Sequence, residues 1–150
     1  MKKIIHTNES VTATIIRIVL GIILFPHGAQ KLLGWFGGYG FEGTMGYLTG
    51  VIGLPWIIAF FVILIEFLGA IALILGFATR IVSVAIMSLF TGIILTTHIG
   101  NGFFMNWSGA QAGEGFEFHL LIIGMAIALL ISGAGKWSLD IVMQRKNNSL

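Results

Sequence analysis

The sequence predicts an all-α integral membrane protein: a four-helix bundle with both termini cytoplasmic and aromatic, glycine-rich loops facing outward. Three observations carry this. Apolar residues make up 57% of the 150-residue chain and charged residues only 9%, a balance foreign to water-soluble domains. Four runs, at about residues 12–33, 55–77, 81–99 and 116–133, approach or exceed the roughly 20 apolar residues that cross a hydrocarbon core of about 30 Å. The basic residues collect on one side of such a bundle. Lys2 and Lys3 precede the first span, Arg80 opens the third after a very short turn, and Lys136, Arg145 and Lys146 follow the fourth. The positive-inside rule makes that side cytoplasmic.

These spans consume most of the chain, so residues 1–150 read as a single membrane domain whose chemistry lies in or beside the bilayer. The first run is too long for a removable signal peptide and lacks its small-residue cleavage site. Cysteine is absent, which excludes disulfides, Cys-ligated iron–sulfur clusters and a thiol relay carried by this chain alone. A net charge of +2, scattered at helix ends, does not form a nucleic-acid stripe.

In the first span Arg17, Gly21, Leu24, His27, Gly28 and Lys31 fall on one arc at helical spacing and should face the other helices. Pro26 removes one backbone bond and predicts a kink. The following loop carries Trp35, Phe36, Tyr39, Phe41 and Tyr47, aromatics suited to the headgroup layer. Within it, residues 44–51 read as a short surface helix.

Pro55 suits the first turn of the second span, and Trp56 anchors its outer boundary. Glu66 falls near the middle of that span, on one arc with Gly69, Ala70, Leu73 and Gly76. A glutamate there costs about 2.5–3.5 kcal/mol on insertion scales, so it must be paired, protonated or wet. In the third span Ser88, Thr91, Leu95 and His98 share the face expected to point inward. The loop after it holds Phe103, Phe104 and Trp107, which read as an interfacial lid. In the fourth span Glu117 shares an arc with Gly124 and Ala128 and is taken as inward, with His119 roughly 160° away. The chain leaves through Gly133, Gly135, Lys136, Trp137, Ser138 and Asp140, a helix stop followed by a capped short segment.

At about 1.5 Å per residue, Arg17 lies roughly 8 Å and Glu66 roughly 15 Å from the cytoplasmic boundary, with His27 roughly 10 Å below the outer one. Arg17, Glu66 and His27 should therefore stack in order of depth, beneath an outer tier of Lys31, His98 and Glu117. Two readings follow. Arg17 and Glu66 form an ion pair that fixes helix register, or Glu66 and His27 are proton-handling groups of a polar pocket. In the pocket reading Lys31, His98, Glu117, Trp35 and Trp107 line the ligand. No histidine pair has the spacing of a metal motif, and His27 and His98 differ too much in depth for a shared haem.

The chain resembles the DoxX family of small four-helix membrane proteins from Arg17 to Asp140. The resemblance rests on RIVLGIILFPHGAQKLLGWFGG, the LPW opening of the second span, Glu66 followed by Gly69, the LGFATR turn, the His98 region and the SGAGKWSLD ending. Arg17, Gly28 and Lys31 match the family's first helix, and Glu66 its second-helix acid. Gly76, Thr79 and Arg80 match its tight turn, and Gly133, Gly135, Ser138 and Asp140 its ending, with Ala134 where many members have proline. His27 is not carried over. The resemblance implies a bacterial or archaeal plasma-membrane protein with a quinone-linked redox role, similar to the membrane subunit of thiosulfate:quinone oxidoreductase. On that basis quinone is the expected cofactor and the chain a subunit of an oxidoreductase system, not a complete enzyme. No flavin or dinucleotide motif is present, so a soluble redox partner or the quinone itself carries the electrons. The alternatives are a non-enzymatic scaffold for soluble redox or stress proteins and, less favoured without an inverted repeat, a small-molecule transporter.

Overall fold

A computed structural model describes residues 7–148; the topology anchors Lys2 and Lys3 lie outside the described residues. Within them there are six α-helices and no strand: α1 (Val11–Leu33), α2 (Gly40–Gly50), α3 (Trp56–Leu75), α4 (Thr79–Ile93), α5 (Glu117–Ser132) and α6 (Leu139–Asn148). α1, α3 and the stretch Thr79–Asn101 are each long and apolar enough to cross a membrane. The last of these continues α4 through a π turn, Ile94–His98, and a 3-10 turn, Ile99–Asn101. α5 has 16 residues, about 24 Å of helix. It is shorter than the other spans, and the loop before it folds back on itself. Glu117 N–H donates to the Phe103 carbonyl at 2.9 Å, and Gly115 lies too close to the carbonyls of Phe103 and Phe104 to carry a Cβ.

Helix boundaries follow from local chemistry. Ser10 caps α1 by accepting from Ala13 N–H at 3.3 Å, and Gly34 ends it in the left-handed conformation that glycine adopts without strain. Pro55 precedes α3, where its missing N–H leaves no gap in the helix ladder.

α1 packs most extensively on α3, and α4 on α5. Their shared core includes Leu20 and Leu24 of α1, Leu73 of α3, Ile86 of α4, and Ile122 and Leu129 of α5. Between lipid-embedded helices the hydrophobic effect gives little drive, so close backbone approach matters more. Gly28 supplies it: a Cβ there would lie 2.5 Å from the Phe67 Cα. At the loop end of the bundle Met45 of α2 packs on Ala59 and Ile63 of α3.

Two inward faces differ from those expected. The buried face of α4 carries Thr79, Ser83, Ile86, Leu89 and Phe90, while Ser88, Thr91 and Leu95 are exposed. The buried face of α5 carries His119, Ile122, Ala126 and Leu129, and Gly124 is exposed. α5 is apolar nearly all round and offers no stripe to orient it, whereas α4 carries small hydroxyl residues on both arcs, Ser83 inward and Ser88 and Thr91 outward, so their spacing alone does not choose the buried face.

The two ends of the described chain meet at the other end of the bundle, here called the terminal end. Asn8 N–H donates to the Ser132 carbonyl at 3.2 Å, Gly135 N–H to Thr7 Oγ1 at 2.9 Å, and Thr14 Oγ1 to the Lys136 carbonyl at 2.9 Å.

Candidate functional site

Glu66 is buried at 3% exposure, and its Oε2 lies 2.5 Å from the Lys31 Nζ, whose side chain is 28% exposed. Two features of the helices bring them together. Gly28 lets the α1 backbone touch α3 at Glu66 and Phe67, which sets the two acid–base positions one turn apart along the seam. Every Cα–Cβ bond also leans toward its helix N-terminus. In this antiparallel pair Lys31 therefore leans down into the bundle, and Glu66 leans up toward the loop end. Removing either partner would leave a lone charge in a membrane interior, at a cost of about 3–5 kcal/mol.

The expected Arg17–Glu66 pair does not form. Arg17, 1% exposed, spends all five of its N–H donors on carbonyls. Nε donates to Ala134 at 2.8 Å, Nη1 to Leu73 at 2.9 Å and Ile74 at 2.6 Å, and Nη2 to Lys136 at 3.1 Å and Trp137 at 2.6 Å. Leu73 and Ile74 belong to the last turn of α3, where carbonyls run out of intrahelical partners; Leu73 also accepts from Gly76 N–H at 3.0 Å. Arg17 thus closes α3 onto the chain's final loop, away from Glu66. Asp140 completes this clasp by accepting from Ala78 N–H at 2.8 Å and Thr79 N–H at 2.9 Å, capping α4 from a distance. Gly76, at φ 66°, passes where a Cβ would meet the Ser138 Cβ at 2.4 Å and the Arg17 guanidinium carbon at 3.0 Å. Arg80 plays a parallel part at α5, donating to the carbonyls of Leu130 at 2.6 Å and Ile131 at 2.9 Å.

The remaining predicted residues separate. His27 is exposed on the outer surface and does not face Glu66 as expected. It sits one turn before Lys31, and residues four apart on a helix are neighbours, so it borders the exposed side of the pair. Phe25 and Pro26 precede it, with Phe25 against Phe67 at a ring separation of 5.6 Å. Trp35 is exposed beyond the end of α1.

At the loop end the expected roles of Glu117 and His119 are exchanged. His119 is buried, its ring 4.3 Å from that of His98 and 5.6 Å from that of Phe90, and its Nδ1 is buried without a hydrogen-bond partner. His98 Nδ1 lies 2.7 Å from the Glu114 carbonyl; a carbonyl only accepts, so Nδ1 carries the proton. Glu117 turns outward instead and accepts from Met105 N–H at 3.0 Å. It lines a hollow of about 340 Å³ with Trp107, Phe103, Phe118 and Leu121. Glu117 and Trp107 thus meet in one place, and His98 in another.

The geometry defines a small helical protein of the membrane, with one acid–base pair inside its bundle and an arginine clasp at one end. It belongs to the DoxX family, whose model matches residues 12–99. Among relatives, the chain is 33% identical over 135 residues to the Bacillus subtilis protein named Putative oxidoreductase CatD, covering 89% of each chain. It is 30% identical over 148 residues to the Escherichia coli Inner membrane protein YqjF, covering 97% of this chain and 99% of the other. No solved structure matches it. The protein is an integral protein of the bacterial inner membrane.

Proposed function

We propose that the protein is the quinone-interacting subunit of a membrane redox system, and that Lys31 and Glu66 form its working site. The carrying observation is the Lys31–Glu66 pair: an ammonium and a carboxylate in contact within the membrane bundle, with the carboxylate buried and the ammonium reaching the surface. A quinone takes up two protons with two electrons, and its oxygens need a donor when oxidised and an acceptor when reduced. Lys31 supplies the donor and Glu66 the acceptor, and His27 beside Lys31 passes protons between the pair and the exposed side of α1. α2 covers the seam at the loop end through Met45 on Ala59 and Ile63, so the lipid-soluble ring approaches from the side, past His27. A soluble or membrane-bound partner supplies or receives the electrons. The oxidoreductase name of the Bacillus subtilis relative accords with this role.

The test uses purified full-length protein in mild detergent and a short-tailed benzoquinone analogue. Binding is expected in the wild type and should weaken roughly tenfold in a folded Glu66→Gln variant, as expected for loss of a charged hydrogen-bond acceptor worth about 1.5–3 kcal/mol. Equal binding by both would remove Glu66 from the site. Absence of quinone binding, with a soluble protein co-purifying from both, would favour the scaffold role instead.

A further inference from the structure

The terminal end carries a second feature that the Lys31–Glu66 site does not use. A groove of about 570 Å³ runs between the end of α3 and α6, with Leu75, Trp137 and Val142 along its apolar walls and Lys136, Arg145 and Glu9 around it. α6 is two-faced. Asp140 and Ile141 are buried against the bundle, and Gln144 Oε1 accepts from Thr7 N–H at 2.8 Å. Leu139, Val142 and Met143 share the opposite arc at helical spacing and are exposed, as is Trp137. An exposed apolar face on a short helix with basic residues at its end suits the plane of a membrane interface. The Lys136 backbone is held through its carbonyl by Arg17 and Thr14, and the residue lines the groove.

We propose that this groove binds an anionic phospholipid, its phosphate between Lys136 and Arg145 and an acyl chain along Leu75, Trp137 and Val142. Charge and shape both select this occupant. Arg80, Lys136, Arg145 and Lys146 all belong to the terminal end, the distribution that marks a cytoplasmic face, and the leaflet there carries the anionic lipids that basic pockets recruit. The groove's lining is mostly apolar, with two cations and one carboxylate, which suits a headgroup with a tail better than a soluble acidic peptide. Glu9 is the opposing group. Its Oε1 lies 2.5 Å from Arg145 Nη2, so it steadies the guanidinium at the groove while competing with a phosphate for it.

Full-length protein reconstituted in nanodiscs of equal phosphatidylglycerol and phosphatidylethanolamine, then analysed by native mass spectrometry, tests this. Wild type should retain phosphatidylglycerol preferentially, and Lys136→Gln with Arg145→Gln should reduce that retention roughly thirtyfold, as two lost surface cations imply. Glu9→Gln breaks the same Arg145 contact yet should raise phosphatidylglycerol retention. A merely structural ion pair would instead make both variants fall together. Equal retention of the two lipids by wild type, a fall in Glu9→Gln, or displacement of lipid by a co-purifying acidic protein would each overturn the proposal.

Discussion

Replacing Arg17 with lysine separates the clasp from the ion pair that charge matching alone suggests. Lysine keeps the positive charge but has three donors where arginine has five. Of the five carbonyls that Arg17 serves, Leu73 keeps Gly76 N–H and Lys136 keeps Thr14 Oγ1, while Ala134, Ile74 and Trp137 accept from three different nitrogens of the fork; a single ammonium takes the place of one of these nitrogens, so about two carbonyls lose their partner. Each unmet buried acceptor costs about 1–3 kcal/mol, giving a loss of roughly 2–6 kcal/mol out of a typical total of about 5–15 kcal/mol. For a chain of this size 1 kcal/mol moves Tm by about 2–4 °C, so Arg17→Lys should melt at least about 4 °C below wild type. The assay is thermal unfolding in mild detergent, followed by tryptophan fluorescence, since Trp137 reports directly on the clasp. A variant melting within about 2 °C of wild type would refute the donor count, because charge, and not the five-pronged fork, would then be what the site needs.

Gly76→Ala puts a Cβ 2.4 Å from Ser138 at φ 66° and should lower stability by more than about 2 kcal/mol, measured by the same melt. Asp140→Ala removes both acceptors at the start of α4 and should cost about 0.5–2 kcal/mol, with faster amide exchange at Ala78 and Thr79. Lys31→Met strands Glu66 and should cost about 3–5 kcal/mol, whereas Lys31→Met with Glu66→Met should cost less than the sum of the single changes; additive melts would show that the pair is not coupled. The Arg145 guanidinium, by hydrogen bond and charge, holds the Glu9 carboxyl below its ordinary value. A depressed folded-state value means that the contribution is present above the usual carboxylate range and is lost as pH falls through the lowered value. The stability difference between wild type and Glu9→Gln should therefore shrink on acidification below about pH 4, and a difference that persists there would count against the pair.

Helix content, the glycine and proline boundaries, the surface helix after α1 and the inward placing of Glu66 are all legible in the residue pattern. The partners of its charges are less so. Opposite charge, which pairs Arg17 with Glu66, is visible in a sequence, whereas a carbonyl belongs to every residue and marks none. Depth along helix axes puts Lys31 in a shallower tier, because it leaves out the opposed lean of two side chains on antiparallel helices. The facing of His27, His119 and Glu117 is hidden for one physical reason. In a lipid-facing bundle, apolar residues cover both sides of a helix, so spacing shows which residues share a face but not which face turns in. The His98–His119 contact had no signal of its own; it arises where a π turn at the end of α4 meets the start of α5.

The Arg17 clasp also fixes an order of events during synthesis. Its partners lie 56 and 57 residues ahead in α3 and 117 to 120 residues ahead in the final loop. The first helix is therefore made with its guanidinium unmatched, and water or headgroups must hold that charge while the rest of the chain follows. Only the arrival of residues 134–137 satisfies it. The bundle is latched only after α5 has been made, and a ribosome stalled directly after α5 would leave α1 threaded but not locked.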